Sequence, residues 1–149
     1  MLLIVLKESE VSDQCWTVST IPKSAVTANV LSKYSFKTGK EVATIFDVET
    51  ARDCTIKHFD DYIMSPNESL ILIQTDTKPI YRHSFTANYY IFNVKNNKME
   101  PLSTGGPQQV PLFSPDGNQI AFVRNNNIYL VQTPVQQQRI TDYHRRKIQ

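Results

Sequence analysis

Leu112-Phe113-Ser114-Pro115-Asp116-Gly117, running into Ile120-Ala121-Phe122-Val123, is the stretch that decides the fold. Ser at the first position, Pro fixing φ at the second and Gly closing suit a type I turn between two short apolar strands. The pattern has a copy upstream. Ile63-Met64-Ser65-Pro66-Asn67 runs into Leu70-Ile71-Leu72-Ile73, and the two Ser-Pro pairs lie 49 residues apart. Self-similarity at that period marks a repeat architecture, in which one unit cannot bury its own face and needs its neighbours.

Outward from these turns the chain reads as strands. In the second unit Asn125-Asn126-Asn127 makes a tight turn, since Asn tolerates positive φ. Ile128-Tyr129-Leu130-Val131 is then a third strand, and Arg139-Ile140-Thr141 begins a fourth. In the first unit Tyr89-Tyr90-Ile91-Phe92-Asn93-Val94 is the third strand, Asn96-Asn97 turns the chain, and residues 99–102 form the fourth. A half-unit lies further upstream: Lys33-Tyr34-Ser35-Phe36, a turn at Lys37-Thr38-Gly39-Lys40, and a strand over residues 42–46. Residues 1–32 supply its earlier strands, beginning with Met1-Leu2-Leu3-Ile4-Val5-Leu6. The best helical candidate, Glu49-Thr50-Ala51-Arg52, is one turn long, so the class is all-β.

Residues 70–73 and 128–131 are apolar at successive positions, as strands covered on both faces are. Four-stranded sheets packed face to face around an axis provide that environment, and a blade of about 40–50 residues is the usual size. The expectation is a partial β-propeller of consecutive four-stranded antiparallel blades. Its blades fall at about residues 1–47, 58–104 and 108–142, too few to close a ring of about four to eight. A small β-sandwich or an open stack of sheets fits the same strands.

Bulk properties exclude several classes. The chain has 149 residues, 40% of them apolar, and a net charge of +2. That balance gives no reason to expect nucleic acid or an anionic membrane as partner. The basic stretch 139–147 also holds Asp142 and Tyr143 and reads as a solvated tail. The apolar start lacks a basic n-region and a cleavage site and is too short to span a bilayer. Cys15 and Cys54 have no metal-ligand spacing, and two half-buried thiols are favoured over a single bridge. No cofactor and no metal are expected.

The two copies differ in length by 11 residues, and the surplus lies between the second and third strands of the first unit. This inserted stretch, residues 75–88, contains Tyr81-Arg82-His83-Ser84-Phe85-Thr86. Extra loop residues on a repeated scaffold are where function concentrates. An Arg flanked by Tyr and His can hold a carbonyl or carboxylate through several donors. A structural ion pair is the plainer role for Arg82.

The stretch 81–87 followed by Tyr90-Ile91 resembles the first propeller blades of dipeptidyl peptidase IV, in the prolyl oligopeptidase family. So does Asp61-Tyr62-Ile63-Met64-Ser65-Pro66 before it. Gly105-Gly106-Pro107-Gln108-Gln109-Val110-Pro111, leading into the Ser-Pro-Asp-Gly turn, and Asn126-Asn127-Ile128-Tyr129 are similar to bacterial members. The likeness covers about residues 33–141. It implies an eight-bladed propeller capping an α/β-hydrolase domain, in a serine exopeptidase that removes N-terminal dipeptides with Pro or Ala second. It also implies that Arg82 helps hold the substrate's backbone carbonyl; His83 follows the same motif, and a structural role is the expectation for it. Bacterial relatives are periplasmic, and no export signal is present in this sequence.

The chain departs from the family pattern in places. The paired glutamates that hold the substrate's free amine are absent, and so is Gly-x-Ser-x-Gly. Gly39, Gly105, Gly106 and Gly117 bracket no serine in that pattern, and His58, His83 and His144 assemble no triad. The first turn reads Asn67-Glu68 where the family tends to Asp-Gly. The expectation is therefore a scaffold and substrate-orienting segment, inactive alone, with no catalytic residue of its own. Its partners would be the remaining propeller, the hydrolase domain and the peptide substrate. The alternative is a non-enzymatic propeller-type module that binds or self-associates through open sheet edges.

Overall fold

The computed structural model describes residues 4–8, 15–20, 29–35, 38, 40–133 and 141–143, with side chains described at 29–33, 38 and 40–133. The start of the first strand at 1–3, most of the turn at 36–39, the Cys15 side chain and the basic stretch around 141–143 lie outside that description. Among the described residues every regular element is a strand. Glu49 and Thr50 form turn, and no helix follows.

Among the described residues twelve strands form three antiparallel meanders of four. The first sheet holds β1 (Ile4–Glu8), β2 (Cys15–Thr20), β3 (Val30–Ser35) and β4 (Glu41–Asp47). The second holds β5 (Asp61–Met64), β6 (Leu70–Tyr81), β7 (Ser84–Asn93) and β8 (Lys98–Pro101). The third holds β9 (Gln109–Phe113), β10 (Gln119–Arg124), β11 (Asn127–Gln132) and β12 (Thr141–Tyr143). Strand order in each sheet follows chain order.

The middle sheet is covered on both faces. Period-2 alternation sends Ile71 and Ile73 to one side and Leu70 and Leu72 to the other. Ile71, Ile73, Phe92 and Met99 meet Leu31 and Phe46 of the first sheet. The Phe46 ring lies edge-on to Phe92 at 4.8 Å and to Phe59 at 5.6 Å. Leu70, Leu72, Tyr89 and Ile91 meet Ile120, Phe122, Tyr129 and Val131 of the third sheet. Each such aliphatic or aromatic side chain stabilises by roughly 1.5–3 kcal/mol when fully buried.

The third sheet corrects one expectation. Residues 128–131 are not covered on both faces: Tyr129 and Val131 are buried, whereas Ile128 is 55% exposed. Leu112, on β9 of the same sheet, is 61% exposed. No described sheet packs against that side, so the strand alternates despite its apolar sequence.

The Ser-Pro turns superimpose bond for bond. Ser65 N donates to Leu70 O and Ser114 N to Gln119 O, at 2.9 and 2.8 Å. The Leu70 and Gln119 amides return to the Ser65 and Ser114 hydroxyls at 3.0 and 2.9 Å. Each hydroxyl donates to the Asx carboxyl or amide oxygen two residues on, Asn67 or Asp116. These contacts and the Asn118 donors hold the Asp116 carboxyl below its usual range. Gly117 closes its turn at φ 72°, and Glu68 takes the equivalent place at φ 55°. The Glu68 carboxylate meets Lys33 Nζ of β3 at 2.8 Å, tying the turn to the first sheet. Asn125 and Asn126 have φ of 49° and 61°, the two positive values a type I′ turn needs, so Asn127 opens β11 instead of belonging to the turn.

The 48–60 connection also has a structural task. Arg52 N donates to Asn97 O at 2.9 Å, and Met99 N donates to Arg52 O at 3.0 Å, closing the free edge of β8.

Candidate functional site

The surplus of the first unit is not a loop. It lengthens β6 and β7 to 12 and 10 residues, with Arg82 and His83 as the two-residue connection. The neighbours stop early: β5 pairs no further than Gln74, and β8 no further than Tyr90. Past that level β6 and β7 continue as a two-stranded arm. Its length is about 20 Å, taking roughly 3.4 Å per residue from position 75 to 81.

Arg82 and His83 sit at the tip and are exposed. Tyr81 beside them is 81% exposed, and Ile80 and Phe85 are 47% and 38% exposed. Among the described residues no carboxylate pairs with Arg82; the ion pairs are Lys33–Glu68 and Lys98–Glu100. The guanidinium is thus free to offer its planar fork of donors to a carbonyl or carboxylate.

The arm leaves the sheet through irregular pairing. Asp76 and Thr77 of β6 oppose the single residue Ala87 of β7, and Asp76 has φ 53°. A bulge of this kind bends the strand and raises its twist. A second shift falls between Pro79 and Tyr81. Pro79 is tolerated because the arm has no third strand that needs its missing N–H.

Polar side chains fasten the root. Thr77 N donates to Asp60 Oδ2 at 2.9 Å, and Asn88 Nδ2 donates to Asp76 Oδ2 at 2.9 Å. Gln74 Nε2 donates to Thr77 Oγ1 at 2.8 Å, and Tyr89 OH donates to Gln74 Oε1 at 3.0 Å. Gln108 comes in from the chain before β9. Its backbone exchanges hydrogen bonds of 2.8 and 3.0 Å with Ala87, and its Oε1 accepts from Tyr89 N at 3.0 Å. Gln74, Tyr89 and Gln108 are all buried. Burial, aided by the Asp61 carboxylate, pushes the Tyr89 phenol up to about 12.

Sequence reasoning singled out Arg82 and placed His83 beside it, and both lie at the arm tip. It missed Gln74, Tyr89 and Gln108. One signal was available: Gln74 is the first polar residue after the apolar run 70–73, yet the strand continues buried through Thr75. His58 is exposed in the connection before β5, apart from the arm tip. Among the described residues no group of three or more His, Cys, Asp or Glu could hold a metal. Among the described residues no helix is long and apolar enough to cross a membrane. Cys54 is a free, half-buried thiol whose Sγ contacts Ile56 O at 3.5 Å.

These sheets have counterparts in known proteins. Residues 65–148 match the dipeptidyl peptidase IV (DPP IV) N-terminal region, and the chain belongs to that family. A probable dipeptidyl-aminopeptidase B of Chaetomium globosum is 32% identical over 131 residues, which is 85% of this chain and 13% of that protein. One from Emericella nidulans is 45% identical over 69 residues, 44% of this chain and 8% of that protein. The crystal structure of Porphyromonas gingivalis dipeptidyl peptidase 4 superimposes with a TM-score of 0.80 at 30% identity, over 95% of this chain and 19% of that one. The all-β stack of four-stranded antiparallel sheets is therefore the N-terminal propeller fold of such peptidases. The chain spans less than a fifth of each of these relatives.

Proposed function

We propose that this chain is the opening propeller segment of a dipeptidyl-peptidase-IV-like serine exopeptidase that removes X-Pro or X-Ala dipeptides from peptide N-termini. Its three sheets are three consecutive blades, at about residues 1–47, 58–104 and 108–142. The segment supplies scaffold and one substrate-binding side chain, while the remaining propeller and a hydrolase domain supply the nucleophile and the amine-binding carboxylates. The observation that carries this reading is the arm: a rigidly rooted ribbon that presents Arg82, unpaired with any described carboxylate, at its tip. There the guanidinium donates to a backbone carbonyl of the bound peptide. A periplasmic or cell-envelope location follows from the bacterial likeness, and cell fractionation tests it.

The kinetic test is Arg82→Ala in the full-length peptidase, with a Gly-Pro chromogenic amide as substrate. A hydrogen bond from a charged donor contributes about 1.5–3 kcal/mol, so kcat/KM should fall roughly ten- to hundredfold. A change under twofold would remove Arg82 from substrate binding. The purified 149-residue chain should show no turnover.

The exposed side of the third sheet favours a second reading, that of a self-associating propeller module. Val110, Leu112 and Ile128 are 66%, 61% and 55% exposed. Light scattering separates the two. Concentration-dependent dimers support self-association, and a monodisperse monomer argues against it.

A further inference from the structure

A two-stranded ribbon standing alone in water is marginally stable, so the direction of the arm must be set where it leaves the sheet. There the strands cross a bulge at Asp76-Thr77, which would otherwise act as a pivot. A buried relay spans the pivot. Tyr89 of β7 donates to Gln74 on the sheet side of β6, and Gln74 donates to Thr77 inside the bulge. Gln108, just before β9, clamps the other strand through its backbone to Ala87 and its side chain to the Tyr89 amide. Every polar group in this chain of contacts has its partner, and leaving one buried and unmatched would be destabilising. The register is thereby held to one arrangement.

We propose that Tyr89, Gln74 and Gln108 are positioning residues that lock the arm at its root and so fix where Arg82 stands. The lever is long. Over about 20 Å, a rotation of roughly 3° at the root moves the tip by about 1 Å, and a displacement of that size can cost a catalysed reaction about a hundredfold. The catalytic consequence rests on the role of Arg82 proposed above; the mechanical lock does not.

The mechanical test uses this chain with nitroxide labels at the arm tip and in the neighbouring sheet, through His83→Cys and Thr44→Cys with Cys15→Ser and Cys54→Ser. Pulsed dipolar spectroscopy reads the distribution of distances between them. Tyr89→Phe keeps the buried ring and deletes only the hydroxyl. It should broaden the distribution about twofold, and Gln74→Ala should do the same. A control pair at positions 44 and 118, which spans the three sheets without the arm, should stay unchanged. Equal broadening of both pairs would mean general loosening and overturn the lock, as would no broadening with either variant. In the full-length peptidase Tyr89→Phe should raise KM several-fold at unchanged kcat, and should add nothing in an Arg82→Ala background. If Arg82→Ala itself changes kcat/KM by less than twofold, the substrate role of Arg82 falls, while the spin-label result still decides the lock.

Discussion

Phe92→Ala removes the side chain on which the first two sheets meet. Phe92 is 1% exposed, and its ring lies 4.8 Å from Phe46 at an interplanar angle of 66°. Truncating a buried Phe typically costs about 3–5 kcal/mol through lost transfer energy and the cavity left behind. Of that, about 0.5–1.5 kcal/mol belongs to the edge-to-face geometry. The site collapses poorly, because Ile71, Ile73 and Met99 around it are pinned in strands. We expect a loss of about 4 kcal/mol. With a urea slope of about 2 kcal/mol per molar, the midpoint falls by roughly 2 M. Phe92→Leu should recover most of this. Leu112→Ala, on the exposed side of the third sheet, should cost less than about 0.5 kcal/mol. Urea titration followed by circular dichroism measures all three. A loss below about 1 kcal/mol for Phe92→Ala would show that the first and second sheets do not share this core.

Two further outcomes follow from the same geometry. The Tyr89 phenol ionises at about 12 when folded against 10.0 unfolded, so its contribution is whole below pH 10 and is lost as the pH rises through about 12; the alkaline fall in stability should be shallower in Tyr89→Phe, and identical pH profiles would contradict the buried phenol. Gly117→Ala should cost about 1–2 kcal/mol, because φ is 72° and the new Cβ would stand 3.3 Å from Asn67 Nδ2; a thermal midpoint matching the parent would contradict that turn geometry.

Local chemistry made much of this fold legible. The Ser-Pro turns carry their own hydrogen-bonding groups, so both hairpins and the strand order could be read from the two copies. The extra length of the first copy located the arm and Arg82. Its form was not legible, since whether 11 extra residues become loop or strand depends on cross-strand pairing rather than on any one residue. Burial of Ile128 failed for a related reason: an apolar strand records what it can cover, not what stands opposite it. Glu68 shows the same limit at a turn, where an ion pair to Lys33 on another sheet accompanies a backbone angle usually given to glycine. Gln108 braces the arm root from 19 residues beyond Tyr89, and no local pattern announces such a partner.

The central claim is that the arm brings Arg82 to a bound peptide. A crystal structure of the full-length peptidase with a dipeptide-like inhibitor tests it most directly. The account predicts an Arg82 guanidinium nitrogen within hydrogen-bonding distance, about 2.7–3.2 Å, of an inhibitor backbone carbonyl, with the Tyr89–Gln74–Thr77 contacts intact. An inhibitor seated away from the arm, with Arg82 in solvent or paired with a carboxylate, would contradict it.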